Sequence, residues 1–314
     1  MKIASIDIGT NTVLLLVADI DDNGSITVIE HQQRLPRLGK GVDSKNIIHI
    51  SAFDRVAWII NEYKNLSAQL GAETILACAT SAVRDASNKD EFISFIRSTT
   101  GIDVEVLSGD EEALLTYRGA ISGLHTSERP IAVLDIGGGS TEITFPLPDA
   151  HNGHAQLQRY SFQLGSVRLT ERFFKHQPPT SSELESTVQL ILEELSQVRN
   201  PGFENYQLVA VAGTATTLAC LDQQLPEFDV EKVSGYVIDR QRVEGWCIKL
   251  CQMTPPQIRS LSDTTQGRED ILTAGVVILN EFMKLFRFQS VIVSERGLRY
   301  GMIIRDWERT TKRK

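Results

Sequence analysis

One pattern constrains this chain more than any other, and it occurs twice. "IASIDIGTNTVLL" at 3–15 and "IAVLDIGGGSTEI" at 131–143 each run an apolar strand into Asp-Ile-Gly, turn through small and hydroxyl-bearing residues, and re-enter an apolar strand. One copy reads as a tight hairpin. Two copies, each followed by a third strand, helices and a buried strand that breaks into small residues, read as a structural duplication of a βββαβ unit. In the first half strands are expected at 2–6, 12–20 and 25–31, with "DDNG" at 21–24 as a hairpin turn. A helix follows, with Ser51 as N-cap and Gly71 as its stop. A strand at 74–79 then breaks toward Arg84, and a short strand at 104–107 leads into the helix "SGDEEALLTYRGAISGL". The second half repeats this order, with strands at 131–135, 141–145, 156–162 and 208–212. Asp7 to Ala79 spans 72 positions and Asp135 to Ala212 spans 77, so the spacing agrees as well.

The turn-rich "SGLHTSERP" around Gly123 is the expected boundary, giving an α/β protein with domains at 1–123 and 124–301. Helix-rich sequence after Arg240 completes the second domain. A last helix at about 302–314, within "GLRYGMIIRDWERTTKRK", is expected to return to the first. The 314 residues suffice for two cores of ordinary size. With 41% hydrophobic and 23% charged residues the composition is globular, and the longest apolar run, "TVLLLVA", is too short to cross a bilayer. No signal-peptide pattern opens the chain, so a cytoplasmic location is expected. The net charge of −8 argues against a nonspecific nucleic-acid binder. Four scattered cysteines form no disulfide framework or zinc motif, and Cys247 and Cys251, one helical turn apart, read as core packing. His151 and His154 read as solvated loop residues.

An Asp-x-Gly turn brings backbone N–H groups and hydroxyls to one point, a nest that suits phosphate oxygens, while the aspartate can hold a divalent cation. Neither loop is a Walker motif, and no strand leads into a clean G-x-G-x-x-G. A third turn, "AGTATT" at 212–217, offers either an anion site at a helix N-terminus or a helix merely capped by Thr214. In "SGDEEALL" Ser108 and Glu111 form a capping-box pair, which leaves Glu112 unassigned. Basic residues cluster in "QRLPRLGKGVD" (Arg34, Arg37, Lys40) and "GSVRLTER" (Arg168, Arg172), either as walls of a polyanion groove or as ordinary surface.

The loops "DIGTNT" and "DIGGGST" resemble the paired phosphate loops of the actin, Hsp70 and sugar-kinase superfamily, whose two ribonuclease H-like (actin-like ATPase) domains enclose an interdomain cleft. With "ATSAVRDASN", "SGDEEA", "LGSVRLTERF", "AGTATTLA", "REDILTAG" and "VSERGLRYG", nearly the whole chain is similar to the exopolyphosphatase and guanosine pentaphosphate phosphohydrolase family in its short form. The resemblance implies Glu112 as the catalytic base. It implies Asp135 and Glu142, with Asp7, as ligands of Mg²⁺ or another divalent cation. Phosphate contacts would come from Gly9, Thr10, Asn11, Thr12, Arg84, Gly137, Gly138, Gly139, Ser140, Gly213 and Thr214. The expected reaction releases orthophosphate from the end of inorganic polyphosphate, with guanosine pentaphosphate (pppGpp) going to the tetraphosphate (ppGpp) as the alternative substrate. A homodimer is expected, with no nucleic-acid or membrane partner. The rival classes are an ATP-dependent kinase of the same superfamily, which would need an adenosine pocket, and a nucleotide-gated chaperone or filament protein, for which the chain offers no peptide-binding domain.

Overall fold

The structure is a computed structural model, describing residues 1–124, 129–147 and 156–311; His151 and His154 lie outside the described residues. The chain divides into two compact units, Met1–Ser122 together with Gly297–Lys314, and Gly123–Arg296. The first contains β1 (Lys2–Ile8), β2 (Val13–Ile20), β3 (Ile26–Arg34), α1 (Val42–Lys45), α2 (Ile50–Gln69), β4 (Thr74–Ala79), α3 (Ser81–Arg84), α4 (Lys89–Thr100), β5 (Glu105–Val106) and α5 (Gly109–Ile121). Its five strands lie in the order β3-β2-β1-β4-β5, with the first three antiparallel and β1, β4 and β5 parallel.

Helices cover both faces of this sheet, which accounts for the almost unbroken apolar character of β1 and β2. Ala4, Ile6 and Ile8 pack in a core with Phe53, Val56 and Ile60 of α2. Ile3 packs on the opposite face. Alternation then puts Asp7 on the face of Ile3 and Ser5, at the C-terminal end of the strand.

The second unit contains β6 (Ile131–Ile136), β7 (Thr141–Pro146), β8 (Leu157–Phe162), α6 (Ser166–Phe173), α7 (Ser181–Leu195), β9 (Gln207–Val211), α8 (Ala212–Asp222), α9 (Val230–Val233), β10 (Val237–Asp239), α10 (Arg240–Leu250), α11 (Pro255–Arg259), α12 (Leu272–Leu285) and β11 (Ser290–Val293). α13 (Leu298–Thr311) belongs to the first unit. The six-stranded sheet has the order β10-β11-β9-β6-β7-β8. Its run β8-β7-β6-β9-β11 repeats β3-β2-β1-β4-β5 in order and in strand direction, so the duplication read from the sequence is present in the topology. β10 is an added antiparallel edge. Leu134, Ile136, Ile143 and Phe145 face the main core, where Phe145, Phe282, Phe286 and Phe288 gather around the fully buried Phe203. Cys247 and Cys251, expected as packing residues, join this same core as free thiols.

Two expected caps are different in the structure. α2 is capped by His49 rather than Ser51: the imidazole Nδ1 accepts the Ser51 N–H at 3.2 Å and also meets the Ser51 hydroxyl at 2.8 Å, so that hydroxyl is already engaged. α8 starts at Ala212, two residues before Thr214, with Val211 at its N-cap and no capping side chain. Thr214 is a buried first-turn residue instead. The α5 cap is as expected, with Ser108 and Glu111 satisfying each other's backbone N–H groups.

α5 and α13 pack with their backbones in direct contact. A Cβ on Gly301 would overlap the Leu115 carbonyl, and one on Gly119 would overlap the Gly297 carbonyl. Only glycine allows that approach, because backbone cannot yield as a flexible side chain can. Gly301→Ala is therefore expected to destabilise the protein by about 2 kcal/mol, read as a lower denaturant midpoint. Gly245→Ala, on the open face of α10 with nothing within 4 Å, should be neutral or stabilising by up to about 1 kcal/mol.

Candidate active site

The two Asp-Ile-Gly segments close by the same hydrogen bond. In the first unit β1 and β2 pair Ile8 with Val13, and the Gly9 N–H donates to the Thr12 carbonyl at 2.9 Å. In the second, β6 and β7 pair Ile136 with Thr141, and the Gly137 N–H donates to the Ser140 carbonyl at 3.0 Å. Each turn thus holds four residues, Gly9 to Thr12 and Gly137 to Ser140, with an aspartate one residue before the strand ends.

Both turns have their carbonyls occupied from behind. The Arg37 and Gly39 N–H groups donate to Asn11 and Thr10 at 3.1 and 2.7 Å. In the second unit the start of α6 does the same work, with Ser166, Val167 and Arg168 N–H groups donating to Gly137 and Gly138, and Arg168 Nε to Gly139 at 2.7 Å. Acceptors are thereby removed from the turns. No hydrogen bond among the described residues engages the N–H groups of Thr10, Gly138 or Gly139. A turn with occupied carbonyls and uncommitted N–H groups has the polarity that an anion requires.

Asp7, Arg84 and Glu112, which the sequence places far apart, come together in the first unit. Asp7 lies at the C-terminal end of β1, and Arg84 and Glu112 come just after the C-terminal ends of β4 and β5, where ligands gather on parallel sheets. The Glu112 side chain is 9% exposed, and its Oε2 accepts from Arg84 at 2.7 Å. The same Arg84 nitrogen donates to the Leu107 carbonyl at 2.9 Å, which ties the guanidinium to the strand end. The pairing puts the expected base and the expected phosphate clamp in direct contact. Asp7 has a buried Oδ1 with no hydrogen-bond partner. Burial, and secondarily the Glu112 charge, raise its carboxyl to about 7, while Arg299 acts in the opposite direction. Arg299 was not singled out in the sequence. It donates to the Leu15 carbonyl at 2.9 Å and contacts His31 Nδ1 at 3.2 Å, which fixes its charge beside β2.

In the second unit Asp135 and Glu142 are direct cross-strand partners, on the face opposite Leu134 and Ile143. That register brings two carboxylates side by side. Ser161, opposite Glu142 on β8, donates to it at 2.7 Å and orients it. The corresponding residue in the first unit is Leu14, facing Asp7, so the duplication did not preserve the pair. Oxygen donors in this number suit Mg²⁺, which binds one or two carboxylates and completes its shell with phosphate oxygens and water. Among the described residues no cluster of three or more potential metal-binding side chains occurs. The buried, unpartnered Asp7 Oδ1 also suits a cation, within its own unit.

Gly213 and Thr214 lie in the first turn of α8. A Cβ on Gly213 would overlap the Arg268 guanidinium, and burial lowers that guanidinium's pKa to about 10. Arg268 is the main site feature that residue patterns did not reveal. It opens the segment "REDILTAG", to which no role attached in the sequence, and the glycine at 213 makes room for it from more than 50 positions away.

Asp7 also predicts a pH effect on stability. A carboxyl raised in the folded state binds its proton more tightly there than in the unfolded chain, so ionisation destabilises the fold as pH rises from about 4 to about 7. Without divalent cations, Asp7→Asn should be more stable than the wild type at pH 8, by about 1–2 kcal/mol after allowing for partial exposure. The difference should vanish below about pH 4, as read from denaturation midpoints across that range.

Known proteins share the fold and the length of this chain. The model of the Ppx/GppA phosphatase family matches residues 16–310. Exopolyphosphatase 2 of Mycobacterium tuberculosis is 32% identical, over 96% of this chain and 98% of its own length. The crystal structure of the Aquifex aeolicus member of the Ppx/GppA family superposes with a TM-score of 0.81 at 30% identity, covering 99% of this chain and 98% of that one. An exopolyphosphatase structure from Cytophaga hutchinsonii gives a TM-score of 0.88 at 26% identity, covering 98% of each chain. With matched folds, matched lengths and a family model spanning both units, this chain belongs to the Ppx/GppA phosphatase family.

Proposed function

We propose that this chain is an exopolyphosphatase: a phosphoanhydride hydrolase that transfers the terminal phosphoryl group of inorganic polyphosphate to water. The observation that carries the reading is the Glu112 carboxylate held at 2.7 Å by Arg84, on the unit that also carries the phosphate-type turn at Gly9 to Thr12. Hydrolysis needs an attacking water, a group that orients it and accepts its proton, and donors for the phosphoryl oxygens. Glu112 is the base in this account. Arg84 holds and aims it, and as a guanidinium it suits a phosphoryl oxygen as well as a carboxylate. In the first unit the N–H groups and hydroxyls of Thr10 and Thr12, and in the second Gly137 to Ser140 and the Gly213–Thr214 turn, are the donors offered to phosphate oxygens.

Asp135 and Glu142 would hold a divalent cation such as Mg²⁺, with Asp7 as a further candidate. When bound, that cation supplies neutralising charge to the phosphate oxygens. The name exopolyphosphatase among its relatives speaks for polyphosphate, and nothing in the described site offers a guanine-specific contact. No helix among the described residues is long and apolar enough to cross a membrane.

Glu111 and Glu112 separate a structural role from a catalytic one. Glu112→Gln should lower kcat for orthophosphate release from polyphosphate by about 10²–10⁴-fold at nearly unchanged KM. Glu111→Ala, which removes the capping carboxylate, should cost roughly 1 kcal/mol of stability yet keep turnover. Wild-type turnover in Glu112→Gln would remove the assigned base. Running guanosine pentaphosphate and ATP beside polyphosphate decides the substrate, and the largest kcat/KM should belong to polyphosphate.

A further inference from the structure

The segment from Leu35 to Gly41 joins β3 to α1 and carries no regular structure, yet it is fixed to the N-terminal phosphate turn. Its Arg37 and Gly39 N–H groups are the donors that occupy the Asn11 and Thr10 carbonyls. Contact at Gly39 is so close that a Cβ there would overlap the Thr10 side chain, so the segment lies directly against the turn. Arg37 itself has φ 51°, in the left-handed region that glycine occupies freely and a residue with a Cβ does not. The Lys40 N–H returns to the Arg37 carbonyl at 3.2 Å, which closes a turn with the two basic residues at its ends. Lys40 is exposed and its amine makes no ion pair or hydrogen bond among the described residues.

The duplicated half supplies an independent parallel. After β8, as after β3, the chain returns to occupy the carbonyls of its own phosphate turn, and there too an arginine, Arg168, comes with it. Arg168 uses its Nε to hold the Gly139 carbonyl. In the first half the Arg37 and Gly39 backbone N–H groups hold the turn carbonyls, and the Lys40 amine makes no ion pair or hydrogen bond among the described residues. The protein as a whole carries a net charge of −8, so a cation pair fixed beside a phosphate turn is a local departure from the chain's overall balance.

We propose that this strap is a subsite for the internal phosphates of a linear polyphosphate, with Arg37 and Lys40 engaging phosphates beyond the first three from the end and so favouring long chains over short. The inference rests on the proposed polyphosphate reading and deepens it. Charge at this subsite adds to binding of a long polyanion through counterion release and adds little for a substrate too short to reach it.

The test compares wild type, Lys40→Ala, Arg37→Gly and the double variant; glycine at 37 removes the charge while fitting the observed backbone. Lys249→Ala, a cation removed from α10 where it stacks on Trp246, controls for net charge. For the double variant, kcat/KM on long polyphosphate should fall about tenfold or more, and the slope of log affinity against log salt should flatten by between one and two. Orthophosphate release from tripolyphosphate should change less than about twofold, and Lys249→Ala should match wild type. Equal losses on long and short substrates, no loss on either, or the same loss in Lys249→Ala would each overturn the subsite. The binding arm uses end-labelled polyphosphate and the Glu112→Gln background. It reads the strap even if the wild type released no orthophosphate, a result that would overturn the proposed reaction instead.

Discussion

The candidate site depends on a hydrogen bond made twice, from the first glycine of each turn to the carbonyl of the fourth residue. It ends a strand pair in a four-residue turn, Gly9 to Thr12 and Gly137 to Ser140, and leaves an aspartate one residue short of the strand's end. Everything else is arranged around that closure. Support segments occupy the turn carbonyls, so the uncommitted backbone groups are donors. The strands that follow, β4 and β9, run parallel to β1 and β6 and end beside the turns, so Arg84 and Gly213 arrive at the same ends of their sheets.

The two halves share this frame and have diverged in chemistry. In the first, Asp7 faces Leu14 across the strands, and the Glu112 carboxylate from α5 is held by Arg84. In the second, Asp135 faces Glu142, a pair suited to a cation, and the buried arginine is Arg268 against Gly213. Burial above all, and secondarily the neighbouring Glu112 charge, raise the Asp7 carboxyl to about 7, and Arg299 offsets part of that rise. A buried carboxyl with a raised pKa beside charged partners marks this cluster as a candidate functional site.

Much of the frame was legible in the sequence because it is set by local pattern. The central strands are apolar over their whole length, the Asp-Ile-Gly turns punctuate them, and Ser108 with Glu111 announces the start of α5. What was not legible depends on distant partners. β10 and β11 are three and four residues long and exist through pairing with each other and with β9. Ser51 carried the stronger capping signal, yet His49, two residues earlier, took the role once its ring met the Ser51 N–H. Arg268, Arg299 and the Leu35–Gly41 strap reach the turns from positions that no local periodicity connects to them.

The central claim is that this chain passes the terminal phosphoryl group of polyphosphate to water. Incubation with polyphosphate and Mg²⁺ in ¹⁸O-enriched water, followed by mass analysis of the released orthophosphate and sizing of the residual chains, tests it directly. The account predicts one solvent-derived oxygen in each released orthophosphate, with chains shortened from their ends. Orthophosphate without label, phosphate delivered to another acceptor, or internal fragments of intermediate length would contradict it.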